Sequence, residues 1–120
     1  IDYEQFCGVK AVEKKIKEIT VQELYEWQTH GEDFQLIDVR EPNEYETVNI
    51  GADLIPLATV AENEARFARD KKVVVHCKMG GRSAKAIREL EEKFGFENLY
   101  NLKGGILAYI DEVQPELAKY

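Results

Sequence analysis

The chain has 120 residues and 44% hydrophobic content, enough for one globular domain with a single core. Its 16 basic and 23 acidic residues give a net charge of −7, which argues against a general role in binding nucleic acid or membrane surfaces. No segment has the apolar length of a membrane span. The two cysteines, Cys7 and Cys77, form no CxxC pair and no zinc-ligand spacing, so we expect no metal, no disulfide framework and a reducing, cytoplasmic setting.

The chain begins with a polar stretch and then alternates between strand and helix patterns. Residues 1–15 are polar and are predicted to be a tail or linker, and Lys15–Ile19 is predicted to be a short strand. Thr20 with Glu23 three residues later is a capping box, which predicts a helix that ends near Gly31.

The middle of the chain predicts two more strands and two more helices. Phe34–Val39 is typical of a core strand, and Pro42 suits the first turn of a short helix. Leu54–Leu57 predicts a short strand that is limited by its proline. Residues 58–70 are rich in Ala, Glu and Arg and are predicted to be helical.

The last third predicts strand, helix, strand and helix in turn. Val73–His76 predicts a buried strand, and the following amphipathic helix stops at Gly95. Asn98–Leu102 predicts a last strand, and Gly104-Gly105 opens a final helix. The alternation indicates an α/β fold in which a central parallel sheet of about five strands has helices on both faces. In such sheets the site lies beyond the carboxyl ends of the strands, where Cys77 falls.

Cys77 stands in a glycine-rich turn between a strand and a helix. Gly80 and Gly81 allow successive backbone N–H groups to point inward as an anion-binding nest, and the helix N-terminus adds positive potential. Lys78 and Arg82 add charge, so we predict a stabilised thiolate nucleophile. The alternative, a buried structural cysteine, is disfavoured by this setting. His76 is a poor general base for Cys77 because neighbouring strand residues point to opposite faces.

The length of this turn distinguishes two kinds of chemistry. Four residues separate Cys77 from Arg82, whereas cysteine-dependent phosphatases use a loop one residue longer to cradle a tetrahedral phosphate. The shorter loop favours a sulfane sulfur on the cysteine, and we therefore predict sulfur transfer in preference to phosphate transfer.

Three segments together resemble the rhodanese family of sulfurtransferases. Asp38–Tyr45 is similar to the first family signature, Cys77–Ser83 to the active-site loop, and Leu102–Ile106 to the C-terminal signature. The resemblance covers residues 16–120, in the family's order and spacing. It implies a rhodanese-like fold.

The resemblance also implies a persulfide mechanism that needs no cofactor. Cys77 would be the catalytic residue, taking sulfur from thiosulfate or from the persulfide of a cysteine desulfurase and passing it to an acceptor. Arg82 would orient the loop and the anionic donor, and Lys78 would help to recruit that donor. The whole substrate- and anion-binding loop would comprise Lys78, Met79, Gly80, Gly81, Arg82 and Ser83.

A finer resemblance lies at the two ends of the chain. Ile1–Gly8 and Ile110–Pro115 are similar to segments of E1-like adenylyltransferases that carry a rhodanese domain at their C-terminus. This implies that residues 1–15 follow an upstream adenylyltransferase domain and that residues 16–120 form the rhodanese domain. The implied acceptor is the C-terminus of a ubiquitin-like sulfur-carrier protein in molybdopterin, thiamine or tRNA thiolation.

Other candidate residues have structural interpretations. Asp38 and Arg40 could be catalytic, but the favoured interpretation is an ion pair that supports the site. Cys7 could be a resolving thiol for the persulfide, but its polar setting favours an incidental linker cysteine. Trp27 is predicted to pack in the core, and the acidic run 41–46 to be a solvated turn.

Two sequence departures and two functional alternatives also stand. The stretch Val48–Ala52 departs from the family pattern after the first signature, as does Tyr109. The functional alternatives are a non-catalytic rhodanese-like binding module and a cysteine-dependent phosphatase or arsenate reductase.

Overall fold

The computed structural model describes residues 16–117, which form one parallel sheet with helices around it. The strands are β1 (Lys17–Ile19), β2 (Phe34–Asp38), β3 (Asp53–Leu54), β4 (Lys72–His76) and β5 (Leu99–Leu102). The α-helices are α1 (Val21–Thr29), α2 (Pro42–Thr47), α3 (Gly81–Phe94) and α4 (Gly105–Glu112), and 3₁₀ turns cover Leu57–Thr59, Glu64–Arg66 and Pro115–Leu117. Among these residues no helix is long and apolar enough to cross a membrane. Residues 1–15, which include Cys7 and the whole predicted tail or linker, and residues 118–120 lie outside the described part.

The sheet has five strands in the order β1-β5-β4-β2-β3, and every neighbouring pair is parallel. This confirms the predicted fold class. The register of β2 against β4 places Asp38 beside His76 at the carboxyl ends of the two strands. Val75 of β4 pairs with Asn101 of β5 one step earlier. The carboxyl edge of the sheet therefore collects polar side chains next to the turn that begins at Cys77.

The valines of β4 show how the sheet buries both faces. Val73 and Val75 belong to one apolar cluster with Ile87 and Leu90 of α3. Val74 points the other way, into a cluster that contains Leu24 of α1 and Tyr109 of α4. Because a strand buried on both faces needs no polar positions, this explains the uninterrupted valine run.

Two predicted helix boundaries are confirmed by their caps. The Thr20 hydroxyl accepts from the Glu23 N–H at 3.1 Å, and the Glu23 carboxylate accepts from the Thr20 N–H at 2.8 Å. At the other boundary Gly95 has φ +71° and ends α3 in the left-handed conformation. This conformation favours glycine.

The predicted helix over residues 58–70 is wrong. The segment instead forms the 3₁₀ turns Leu57–Thr59 and Glu64–Arg66. The Asn63 side chain donates to the Thr59 carbonyl at 2.9 Å, and Thr59 in turn donates to the Pro56 carbonyl at 2.9 Å. These local hydrogen bonds compete with a helical ladder.

The strand predicted over Leu54–Leu57 is also shorter than expected, covering Asp53–Leu54. Pro56 has no N–H to donate to a ladder. The chain nevertheless stays beside β2, because the Ile55 N–H donates to the Asp38 carbonyl at 2.8 Å and the Leu57 N–H to the Val39 carbonyl at 3.0 Å.

Candidate active site

The cysteine turn lies at the carboxyl edge of the sheet, as the sequence predicts. Cys77 directly follows β4, and α3 begins at Gly81. Gly80 takes φ +115°, a conformation that favours glycine, and serves as the N-cap of α3. Cys77 itself is 1% exposed, whereas Met79 two residues later is 68% exposed. The turn therefore buries Cys77 and leaves the Met79 side chain exposed to solvent.

Hydrogen-bond donors surround the Cys77 sulfur. The Gly80 N–H donates to Sγ at 3.0 Å, and the Ser83 hydroxyl oxygen lies 3.5 Å from Sγ. Burial raises the pKa of the Cys77 thiol, but hydrogen bonds from the Ser83 side chain and from the N–H groups of Ser83, Gly80 and Met79 outweigh burial and lower that pKa below its ordinary value. The turn thus stabilises a thiolate chiefly through hydrogen bonds. The sequence had also predicted a contribution from the charges of Lys78 and Arg82.

Helix α4 holds the first part of the turn from behind. The carbonyl of Cys77 accepts from the Ile106 N–H at 2.9 Å, and the carbonyl of Lys78 accepts from the Leu107 N–H at 3.1 Å. Gly105 makes this contact possible, because a Cβ at that position would lie 2.5 Å from the Lys78 carbonyl oxygen and 2.6 Å from that of Cys77. The turn's carbonyls are thereby directed into α4 and away from the sulfur.

Arg82 is bound by a residue of the first sequence signature. Its Nη1 and Nη2 donate to Oε1 and Oε2 of Glu44 at 2.7 and 2.9 Å. The Arg82 side chain holds the pKa of Glu44 at about 2, below its ordinary 4.5. The sequence reasoning placed Arg82 in the loop but did not identify Glu44 as its partner. The bidentate pair joins α2 to the start of α3.

The expected ion pair between Asp38 and Arg40 is present and fully buried. Arg40 Nη2 donates to Asp38 Oδ2 at 2.7 Å and to the Val48 carbonyl at 2.7 Å, and its Nε donates to Asp38 Oδ1 at 3.0 Å. Arg40 Nη1 also donates to the Glu44 carbonyl at 3.4 Å. The pair therefore fixes the segment that supplies Glu44 to Arg82.

His76 is buried beneath the turn and faces the backbone rather than the sulfur. Its Nδ1 lies 3.3 Å from the Cys77 carbonyl oxygen, and its Nε2 lies 3.7 Å from Asp38 Oδ2 without a hydrogen-bond partner. Burial lowers the pKa of His76 below its ordinary value and outweighs the opposing effect of Asp38. A neutral His76 with its proton on Nδ1 fits this arrangement, because the carbonyl can only accept.

Two further predictions concern residues away from the turn. Trp27 packs edge-on against Phe34 and Tyr100, with ring centroids 5.7 Å apart in both pairs, which confirms a packing role. Within residues 16–117 no group of three or more His, Cys, Asp or Glu side chains could hold a metal ion.

The fold and the site define a parallel α/β domain with a buried cysteine, Cys77, in a strand-to-helix turn. The family model described as "Rhodanese-like domain" matches residues 20–112, so the chain belongs to the rhodanese-like domain family. This confirms the resemblance inferred from the three signatures.

Several curated relatives match the whole chain, among them two adenylyltransferase/sulfurtransferase proteins. The probable adenylyltransferase/sulfurtransferase MoeZ of Mycobacterium tuberculosis is 41% identical over 127 residues, covering 100% of this chain and 32% of that protein. The adenylyltransferase and sulfurtransferase MOCS3 of Anopheles gambiae is 33% identical over 141 residues, covering 100% of this chain and 32% of that protein. The chain thus spans about a third of these relatives. These matches confirm the resemblance to adenylyltransferases that carry a rhodanese domain. They also support the assignment of this chain to the sulfurtransferases of the family.

Several solved structures share the fold, among them two rhodanese-like proteins. A rhodanese-related protein from Thermoplasma volcanium has a TM-score of 0.73 at 34% identity, and the match covers 82% of this chain and 95% of that one. A rhodanese-like domain protein from Staphylococcus aureus has a TM-score of 0.74 at 33% identity, with the same coverage.

Proposed function

We propose that the chain carries sulfane sulfur as a persulfide on Cys77 and passes it to an acceptor. One observation carries this proposal: the Cys77 sulfur lies 3.0 Å from the Gly80 N–H and 3.5 Å from the Ser83 hydroxyl, in a turn that lowers the pKa of the thiol. A thiolate is the form of cysteine that acts as a nucleophile.

The donor step needs no redox partner. With thiosulfate, the Cys77 thiolate attacks the outer sulfur, the S–S bond breaks and sulfite leaves with the bonding electron pair. With a cysteine desulfurase persulfide, the leaving group is the thiolate of that enzyme. In both cases the product is a negatively charged persulfide on Cys77, which the N–H groups of residues 78–82 would stabilise.

The proposed acceptor is the adenylated C-terminus of a ubiquitin-like sulfur-carrier protein. The terminal persulfide sulfur would attack the acyl carbon and AMP would leave. A second thiol would then cleave the acyl disulfide, releasing the carrier as a thiocarboxylate and forming a disulfide with Cys77. The names of MoeZ and MOCS3, which join adenylyltransferase to sulfurtransferase, support this acceptor class.

The same comparison supports a domain arrangement. Residues 1–15 would link an upstream adenylyltransferase domain to a rhodanese domain over residues 16–120. Molybdopterin, thiamine and tRNA thiolation are the candidate pathways, and a reducing cytoplasm would keep the Cys77 thiol available.

The other loop residues have supporting roles in this proposal. Arg82, held by Glu44 at 2.7 and 2.9 Å, would orient the turn against α2. Lys78 would help to recruit the anionic donor, and the exposed Met79 would contact the donor or acceptor. The buried Asp38–Arg40 pair would support the turn from the neighbouring strand.

Thiocyanate formation from thiosulfate and cyanide tests the proposal, with a cysteine desulfurase and cysteine as a second donor. We expect product from the wild type and from Cys7→Ala, and none from Cys77→Ala. No sulfur transfer from either donor by a folded protein would overturn the proposal in favour of a binding module. Hydrolysis of p-nitrophenyl phosphate without sulfur transfer would overturn it in favour of a phosphatase.

A further inference from the structure

Asn101 lies in β5 directly behind the cysteine turn and is 3% exposed. Its Nδ2 donates to the Gly80 carbonyl at 3.2 Å, and its Oδ1 lies 2.5 Å from the Ser83 hydroxyl oxygen. Gly80 and Ser83 also donate to the Cys77 sulfur, as does the Met79 N–H. Asn101, which lies outside the family's loop signature, therefore contacts two of the residues that donate to the Cys77 sulfur.

The partners of Asn101 fix the direction of each hydrogen bond. The Gly80 carbonyl can only accept, so the amide N–H₂ of Asn101 must face it, and the amide oxygen must face Ser83. An amide oxygen can only accept, so the Ser83 hydroxyl must donate to it. The single Ser83 proton is then directed to the Asn101 amide oxygen, 2.5 Å from the hydroxyl oxygen, whereas the Gly80 carbonyl oxygen lies 3.2 Å and the Cys77 sulfur 3.5 Å from that hydroxyl oxygen.

We propose that Asn101 is a positioning residue for sulfur transfer, which competes with Cys77 for the Ser83 proton and so limits how strongly this hydroxyl stabilises a negative sulfur. While Cys77 is a thiol, the Ser83 hydroxyl donates to the Asn101 amide oxygen, the nearest of its three acceptors. When the sulfur becomes a thiolate or persulfide it is a charged and stronger acceptor, and the hydroxyl can turn toward it without moving its oxygen. The inference takes Cys77 as the nucleophile and thus rests on the proposed function.

Asn101→Leu removes the competing acceptor at similar side-chain volume. In the Cys7→Ser background, where Cys77 is the one remaining thiol, the pH dependence of iodoacetamide alkylation gives the pKa of Cys77. We expect the apolar side chain introduced at this position to raise the pKa of Cys77 by burial and the released Ser83 proton to lower it. Ser83→Ala removes only the second effect, so the two contributions separate when Asn101→Leu is made with and without Ser83→Ala.

The expected coupling follows from the value of one hydrogen bond to a charged acceptor. The pKa shift that Asn101→Leu causes should be more negative when Ser83 is present than in the Ser83→Ala background. The difference between the two shifts should correspond to about a threefold to tenfold change in the thiolate–thiol ratio. Equal effects in both backgrounds would overturn the proposal. If Asn101→Leu does not fold, Asn101→Ala gives the same comparison, with the same two outcomes.

Asn98 provides a matched control for a merely structural role. Its amide donates to the carbonyls of Ala68 at 2.7 Å and Lys71 at 2.6 Å, near the opposite end of β5. Asn98→Leu should lower stability and leave the pKa of Cys77 unchanged, and an equal shift in both variants would overturn the proposal. None of the compared variants alters the charged and titratable residues around the turn, so their effects on the pKa of Cys77 are common to all variants. These residues are Lys78, Arg82, Glu44, His76, Asp38 and Arg40.

The readout also separates this inference from the proposed function. Alkylation reports the Cys77 thiolate and does not require a sulfur donor or an acceptor. A failure of Cys77 to carry a persulfide would therefore leave the coupling between Asn101 and Ser83 intact. A missing coupling with normal sulfur transfer would overturn the role of Asn101 alone.

Discussion

The Glu44 carboxylate accepts hydrogen bonds from both terminal nitrogens of Arg82, at 2.7 and 2.9 Å, and so connects the first sequence signature to the cysteine turn. The contact spans 38 residues of sequence. It places an acidic group next to the cation that, from sequence, was expected to orient an anionic donor. The pair connects α2 to the start of α3 through Arg82, the residue that we propose orients the turn.

Glu44→Gln should lower the free energy of unfolding by about 1 kcal/mol or less, because solvent screens this partly exposed pair. The pKa of Glu44 falls from 4.5 to about 2 on folding, so its contribution is complete above pH 4.5 and is lost as the pH falls toward 2. Urea unfolding of wild type and variant from pH 7 to pH 2 checks this. Glu89→Gln, which breaks the exposed pair with Lys93, is the control with a smaller effect. A stability difference that persists unchanged at pH 2 would contradict the prediction.

Gly105→Ala should separate backbone strain from the fit of the turn against α4. Gly105 has φ +63°, and an added Cβ would lie 2.5 Å from the Lys78 carbonyl oxygen. Gly31 has a similar φ of +72° with no atom within 4 Å of the added Cβ, so Gly31→Ala reports strain alone, about 1 kcal/mol. We expect Gly105→Ala to lower the free energy of unfolding by about 3 kcal/mol or more and to abolish sulfur transfer. Equal losses of stability in urea unfolding would show that the close approach does not matter.

His76 should make the domain less stable in weak acid. Burial lowers its pKa below the ordinary 6.5, so below pH 6.5 the unfolded chain binds a proton that the folded chain does not. Stability should then fall as the pH decreases from 6.5 toward the folded pKa, by at most about 1.4 kcal/mol per pH unit. His76→Asn keeps an N–H donor for the Cys77 carbonyl and should reduce this slope in urea unfolding.

The exposed His30 is the control for that experiment, since His30→Asn removes a histidine without touching the site. It should retain the steep pH dependence of the wild type. A His76→Asn protein with the wild-type slope would show that His76 does not titrate differently in the folded and unfolded chains.

Much of the fold was predictable because it follows from local patterns. The valine run before His76 indicated a strand buried on both faces, and Thr20 with Glu23 and Gly95 marked helix ends. The helix prediction for residues 58–70 was wrong because it followed the composition of the segment. In the structure the side chains of Thr59 and Asn63 donate hydrogen bonds to nearby backbone carbonyls. Local competition of this kind is weakly visible in composition.

The site was predictable where its residues are contiguous and missed where they are brought together by the sheet. The cysteine turn and the Asp38–Arg40 pair come from short segments. Glu44 and Asn101 reach the turn from 38 and 18 residues away, and only the strand order places them there. An Asn one strand later than the nucleophile carries no signal of its own in a single sequence.

We propose that Cys77 carries sulfur, and the intact mass of the protein after incubation with a sulfur donor measures this sulfur itself. Thiosulfate and a cysteine desulfurase with cysteine are the two donors, and Cys77→Ala and Cys7→Ala are the matched variants. We expect the added mass of one sulfur atom in the wild type and in Cys7→Ala. Cyanide should remove this sulfur, and it should be absent from Cys77→Ala. An unmodified mass with both donors, or sulfur that remains in Cys77→Ala and disappears in Cys7→Ala, would contradict the proposal.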